Sequence, residues 1–201
     1  IGTTLKGAEA LADALLRNGT LTELTIERNR LSREALGVIG EALLDSSCSQ
    51  IRYLSCDRFR ITEGITALEL RSKRLFDADA ALLGGVLMRN DEVTSLDMMA
   101  CGLIGDDAIR TLGEALWRTQ PPTKSRLSYL RYSKLDLSET TTCITLESHR
   151  LTIADMVLLS VVLRHNKSCG LMILDTFRIG SAQLNGSEPL DPRAPWAAQA
   201  I

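Results

Sequence analysis

Apolar residues along this chain switch repeatedly between two spacings. In Leu21-Thr-Glu-Leu24-Thr-Ile26-Glu-Arg-Asn29-Arg-Leu31 they follow the pattern LxxLxLxxNxL, and behind it Ala35, Leu36, Ile39, Ala42, Leu43 and Leu44 recur at helical spacing. A change from period 2 to period 3.6 predicts a short strand, a turn and an amphipathic helix that carries the chain back for the next parallel strand. The order returns at Val93, Leu96, Met98, Cys101 and Leu103, with Ala108, Ile109, Leu112, Ala115 and Leu116 behind them. It returns again at Ile65, Leu68, Leu70, Lys73 and Leu75 before Ala78, Leu82, Leu83, Val86 and Leu87, and at Ile144, Leu146, His149 and Leu151 before Ala154, Val157, Leu158, Val161 and Val162. Residues 7–18 predict a preceding helix and residues 171–179 a last strand.

The pattern is nested, because residues 51–70 lie on residues 127–146 without a gap, at an offset of 76. Inside each copy is a short step: Leu54 to Leu68, and Leu130 to Ile144, are each 14 residues apart. A parallel crossover through a helix needs about a dozen or more connecting residues, so these two units are expected to return by an extended or turn segment and to leave a notch in the outer helix layer. Phe59 and Leu135 stand there in place of Asn29, which suggests a hydrophobic plug. Self-similarity of this length implies units that bury their apolar faces against their neighbours.

These residues resemble the leucine-rich repeat family, in particular the long repeats of the ribonuclease-inhibitor and NOD-like-receptor type, whose helices contain segments like GEALL (residues 40–44) and GEALW (residues 113–117). The resemblance implies an α/β leucine-rich-repeat solenoid: curved, with parallel inner strands, outer helices and two short helix-less units. It would span residues 1–180 as a fragment that opens inside a repeat, and residues 181–201, with Pro189, Pro192 and Pro195, would form a C-terminal tail. It also implies that Asn29 and Cys101 bond to loop backbone and have a structural role.

Composition narrows the function. Of 201 residues 45% are hydrophobic and only 4% aromatic, so the core must be aliphatic; 23 basic and 25 acidic residues give a net charge of −2 and are mixed along the chain. No run of Lys or Arg tracks a phosphate backbone or an anionic membrane, and no apolar stretch approaches the roughly 18 residues of a membrane span. Five scattered cysteines, Cys48, Cys56, Cys101, Cys143 and Cys169, fit free thiols and a cytoplasmic location. Three N-x-S/T sequons, at Asn18, Asn166 and Asn185, are read as turn chemistry before glycosylation.

Catalysis has little to work with. His149 and His165 are the only histidines; His149 falls in the column of Asn29, and His165 closes a helix, where a cationic side chain suits the dipole. No CxxC accompanies Cys169, and Gly84-Gly85 lies within a helical pattern where close packing explains it better than phosphate binding. The expectation is a non-enzymatic scaffold for protein–protein interaction, with no cofactor and no metal.

Residues between the strand leucines point away from the core and line up in columns on the concave face. The candidate binding residues are Tyr53, Ser55, Asp57, Glu69, Arg71, Asp97, Met99, Tyr129, Arg131, Glu147 and Asp175, an acidic surface anchored on two tyrosines and suited to a protein or peptide partner of basic character. The resemblance to leucine-rich repeats implies two alternatives, a GTPase-activating module using Arg28, Arg58 or Arg71, and an inhibitor of a basic enzyme such as a ribonuclease.

Overall fold

A computed structural model describes residues 5–101, 105–117, 124–138, 141–145, 151–166 and 171–173. Five helices, α1 (Leu5–Arg17), α2 (Arg33–Asp45), α3 (Asp77–Leu87), α4 (Asp106–Trp117) and α5 (Ile153–Leu163), alternate with short strands. The strands are β1 (Glu23–Thr25), β2 (Tyr53–Ser55), β3 (Arg60–Ile61), β4 (Ala67–Glu69), β5 (Ser95–Asp97), β6 (Tyr129–Tyr132), β7 (Leu135–Leu137), β8 (Cys143–Thr145) and β9 (Leu171–Ile173).

The expected leucine-rich-repeat solenoid is corrected here. The protein is a small α/β fold in which two mixed sheets, β1-β2-β3 and β4-β5-β6-β7, are accompanied by the pair β8-β9. Strands β1 and β2, β4 to β6, and β8 and β9 pair in parallel, whereas β2–β3 and β6–β7 are antiparallel. The 14-residue steps are the physical reason. Too short for a helical crossover, each turns back on itself, and the returning strand occupies the edge where the next parallel strand would have paired. In the first hairpin the Cys56 amide donates to the Phe59 carbonyl at 2.9 Å; in the second, Leu130 faces Leu137 and Tyr132 faces Leu135. Phe59 and Leu135 are both buried.

No notch opens beside the first hairpin. Each helix packs on the next in chain order, and α2 meets α3 most closely. Glycine makes this approach possible: a Cβ at Gly85 would stand 2.6 Å from the Leu43 Cβ, and one at Gly40 would stand 2.8 Å from the Ala81 Cβ. Gly84 faces Ala115 on α4, and Gly113 faces the Leu158 backbone on α5. Thus the glycine pair expected from close packing holds α3 between α2 and α4. The core between helices and sheets is aliphatic, with Leu43, Leu54, Leu82, Leu96, Leu116, Leu130 and Leu158 all inaccessible to solvent. Among the described residues no helix is long and apolar enough to cross a membrane.

The turns that leave the strands share a backbone device. Arg28, Ser72 and Ala100, each the residue before the position of Asn29, Lys73 or Cys101, adopt left-handed φ values of 58°, 59° and 57°. Asn29 Nδ2 then donates to the Glu27 carbonyl, and the Cys101 thiol donates to the Leu70 carbonyl at 2.8 Å. Asn18 behaves as a turn residue, its Oδ1 accepting from the amides of Thr20 and Leu21.

Two outcomes follow for stability. Gly85→Ala should destabilise the fold by about 1–3 kcal/mol through overpacking against Leu43. Ala100→Gly should stabilise it by up to about 1 kcal/mol, because the left-handed conformation costs glycine least. Urea unfolding midpoints measure both.

Candidate functional site

Strand pairing puts the predicted residues of the second sheet into rows. Leu68, Leu96 and Leu130 point into the core, so their strand neighbours face away from the helices. Ala67, Ser95 and Tyr129 form one row and Glu69, Asp97 and Arg131 the next. Arg71, just past β4, donates to Asp97 Oδ2 at 3.1 Å, and Arg131 reaches the same oxygen at 3.5 Å. Arg131 also grips both oxygens of Asp136 on β7, at 2.9 and 3.0 Å. The Met99 amide closes the array by donating to Asp97 Oδ1. Burial alone would raise the Asp97 pKa, but the Met99 amide and the two arginines outweigh it and hold the carboxyl below its usual range. Tyr129 and Met99 are half-buried, while Glu69 and Arg71 are exposed.

The first sheet does not offer the same surface. Tyr53 is only 7% exposed, and its hydroxyl donates to Glu92 Oε1 at 2.8 Å, while Glu92 Oε2 accepts the Gly64 amide at 2.7 Å. Ser55 is buried beside it. The loop that follows β3 therefore closes over β2 and removes Tyr53 as an exposed anchor. Asp57 stands apart on the hairpin turn, accepting the Arg28 amide at 2.7 Å, and Arg60 takes Glu27 by both carboxylate oxygens. Glu147 and Asp175 lie outside the described residues, as does His149.

Residues that pattern reading passed over carry the strongest electrostatics. Asp79 and Asp155 sit in the first turns of α3 and α5, 76 residues apart, and both are buried. Each receives a cation from the preceding hairpin turn: Arg58 donates to Asp79 at 3.0 Å and Lys134 to Asp155 at 2.8 Å. Each also accepts the backbone amide just before its helix, that of Phe76 or Thr152. The same offset relates Asn90, whose amide donates to the Arg52 carbonyl at 2.9 Å, to Asn166, which donates to the Ser128 carbonyl at 2.8 Å. The signal that could have found them is the internal repeat itself, read at polar instead of apolar positions.

The two carboxylates titrate oppositely. Burial dominates at Asp79 and raises its pKa despite the Phe76 amide and Arg58. Burial opposes ionisation of Asp155 as well, but Lys134, the Thr152 amide and hydroxyl and the Tyr132 hydroxyl together hold its pKa down. The number of donors decides the sign. Tyr132, buried against this carboxylate, has its own pKa pushed far up.

Reactive chemistry is sparse in what the structure places together. Burial raises the Cys56 and Cys101 thiols, which makes them poor nucleophiles. Burial together with Arg164 and Arg126 lowers His165, which weakens the expected role of a cation at the end of α5. No group of three or more metal-ligating side chains converges among the described residues. The chain matches no family model and no curated protein.

Acid stability should follow the Asp155 cluster. A carboxyl with a depressed folded pKa stabilises the protein above the unfolded pKa of about 4, and that contribution is lost as pH falls through the folded value. In Asp155→Asn this acid-dependent loss should be smaller than in the parent chain. Asp79, with a raised folded pKa, contributes in the opposite sense, so Asp79→Asn should leave the acid-dependent loss at least as steep. Unfolding free energies measured between neutral and acidic pH distinguish the two.

Proposed function

We propose that this chain is a non-enzymatic scaffold of the cytoplasm that takes a protein or peptide partner on the outward face of β4, β5 and β6. The observation that carries the reading is the half-buried Tyr129 set beside the Arg71–Asp97–Arg131–Asp136 ionic row. Tyrosine and arginine held in place by neighbouring groups lose little freedom on binding and are enriched at the energetic centres of interfaces. The partner is a protein or peptide surface carrying both signs of charge. Asp97 is already shared by two arginines, so the face presents Glu69 and Arg71 side by side instead of the uniformly acidic surface expected from the sequence.

The two alternatives are less well supported by the same geometry. Inhibition of a basic enzyme requires a surplus of unengaged carboxylates, yet Glu27 and Asp97 are tied to arginines. A GTPase-activating role would fall to Arg28, because Arg58 and Arg71 are held by Asp79 and Asp97.

Affinity capture from a eukaryotic cytosolic extract tests the scaffold reading. A partner retained by the parent chain should fall by about tenfold or more with Tyr129→Ala and with Arg131→Ala, while Glu41→Ala, on the exposed side of α2, retains it. Equal recovery by all four proteins, each verified as folded by circular dichroism, would overturn the assignment.

A further inference from the structure

A second surface, adjoining the β4–β6 face at Arg71, lies where the chain leaves β1, β2 and β4. Residues 26–34, 56–60 and 70–79 hold eight cations against five acids, in a chain whose net charge is −2. Hydrogen bonds and ion pairs bring the three segments together. The Arg28 amide meets Asp57, Arg60 meets Glu27, and Arg58 meets Asp79. Phe76 is the common point: the Arg33 guanidinium lies 3.5 Å from its ring centroid and that of Arg58 lies 4.6 Å from it. Arg33 itself is exposed, as are Arg28, Arg30, Lys73 and Arg74 on the same three segments.

The fold does not demand this charge. Segments 56–60 and 70–79 carry five cations against three acids, whereas their counterparts 76 residues on, 132–136 and 146–155, carry two cations against three acids. Backbone conformation points the same way, since Arg30 holds a left-handed φ of 51° where glycine would cost less. Two helix N-termini, those of α2 and α3, open beside the cluster and add positive potential, which reinforces the guanidinium charge without itself defining a site.

We propose that this rim binds an acidic polypeptide segment, with glutamate or aspartate side chains received by Arg28, Arg30, Arg33 and Arg74. The internal contacts are its precedent: Arg58, Arg60 and Arg71 each hold a carboxylate, Arg60 by both oxygens. Planar guanidinium forks match that geometry. Nucleic acid fits less well, because binding of single strands uses exposed aromatic faces for base stacking, and the ring at the centre of this rim is covered by two arginines.

Fluorescence anisotropy of a fluorescein-labelled oligoglutamate peptide with the whole chain tests the proposal. Binding at low ionic strength should weaken as salt is added, and should drop about tenfold or more in R28E/R30E/R74E. A reversal of equal charge elsewhere, R17E/R110E/R126E, should change it by about twofold or less. If circular dichroism shows the rim reversal to be misfolded, R28Q/R30Q/R74Q replaces it, with the same direction expected. Absence of binding by the parent chain, equal loss in the rim and distal variants, or tighter binding of a single-stranded oligonucleotide of matched charge would each overturn the proposal.

Discussion

The fold depends on a buried carboxylate at the start of a helix, bonded to a cation from the hairpin that precedes it. Removing a carboxylate from water is costly unless donors replace its hydration. At Asp79 the replacement is the Phe76 amide and Arg58; at Asp155 it is the Thr152 amide and hydroxyl, Lys134 and the Tyr132 hydroxyl. Each carboxylate ties the turn of a hairpin to the start of the helix that follows it, and adds to the bonds between that helix's first turn and the residue before it. The hairpins interrupt the parallel ladder, so hydrogen bonding along the sheets cannot by itself fix how one sheet follows the next. The buried carboxylate ties the interrupted ends through the helix layer instead.

Packing in that layer explains why the interruption is tolerated. With no helix beside the first hairpin, α2 and α3 become direct neighbours, and Gly40 and Gly85 let their backbones approach closely enough to exclude water. Asn90 and Asn166 fasten the far ends of α3 and α5 to the carbonyls of Arg52 and Ser128. One set of polar fastenings therefore sits at each end of these helices, and the aliphatic core lies between.

Much of this was legible in the residues. The LxxLxL pattern locates β1, β2, β4, β5, β6 and β8, and the 3.6 spacing locates all five helices, because in both cases the buried side must recur with the backbone's own period. The 14-residue steps correctly exclude a helix after β2. Direction was not legible: strands of two or three residues such as β3 and β7 have too few positions to show a period, and a short connection restricts length without fixing whether the chain turns parallel or antiparallel. That gap turned a solenoid expectation into a fold with mixed sheets. The candidate face was legible in part. Glu69, Asp97 and Arg131 fall in one row as their spacing requires, but Tyr53 looks identical to Tyr129 in the pattern and is closed off by Glu92, 39 residues away. Asp79 was hidden because a charged residue at the start of a helix reads as exposed capping until the cation that buries it is known.

Surface chemistry follows from the same constraint. Asp79 engages Arg58 internally while Arg28, Arg30 and Arg74 stand exposed on the rim, and Asp97 organises Arg71 and Arg131 on the face. The most direct test is a double-mutant cycle at Arg58 and Asp79, with Arg58→Met, Asp79→Asn and the pair compared by urea unfolding. A coupling of about 1 kcal/mol or more between the two positions is expected, and additivity within about 0.5 kcal/mol would contradict the central role of this buried pair.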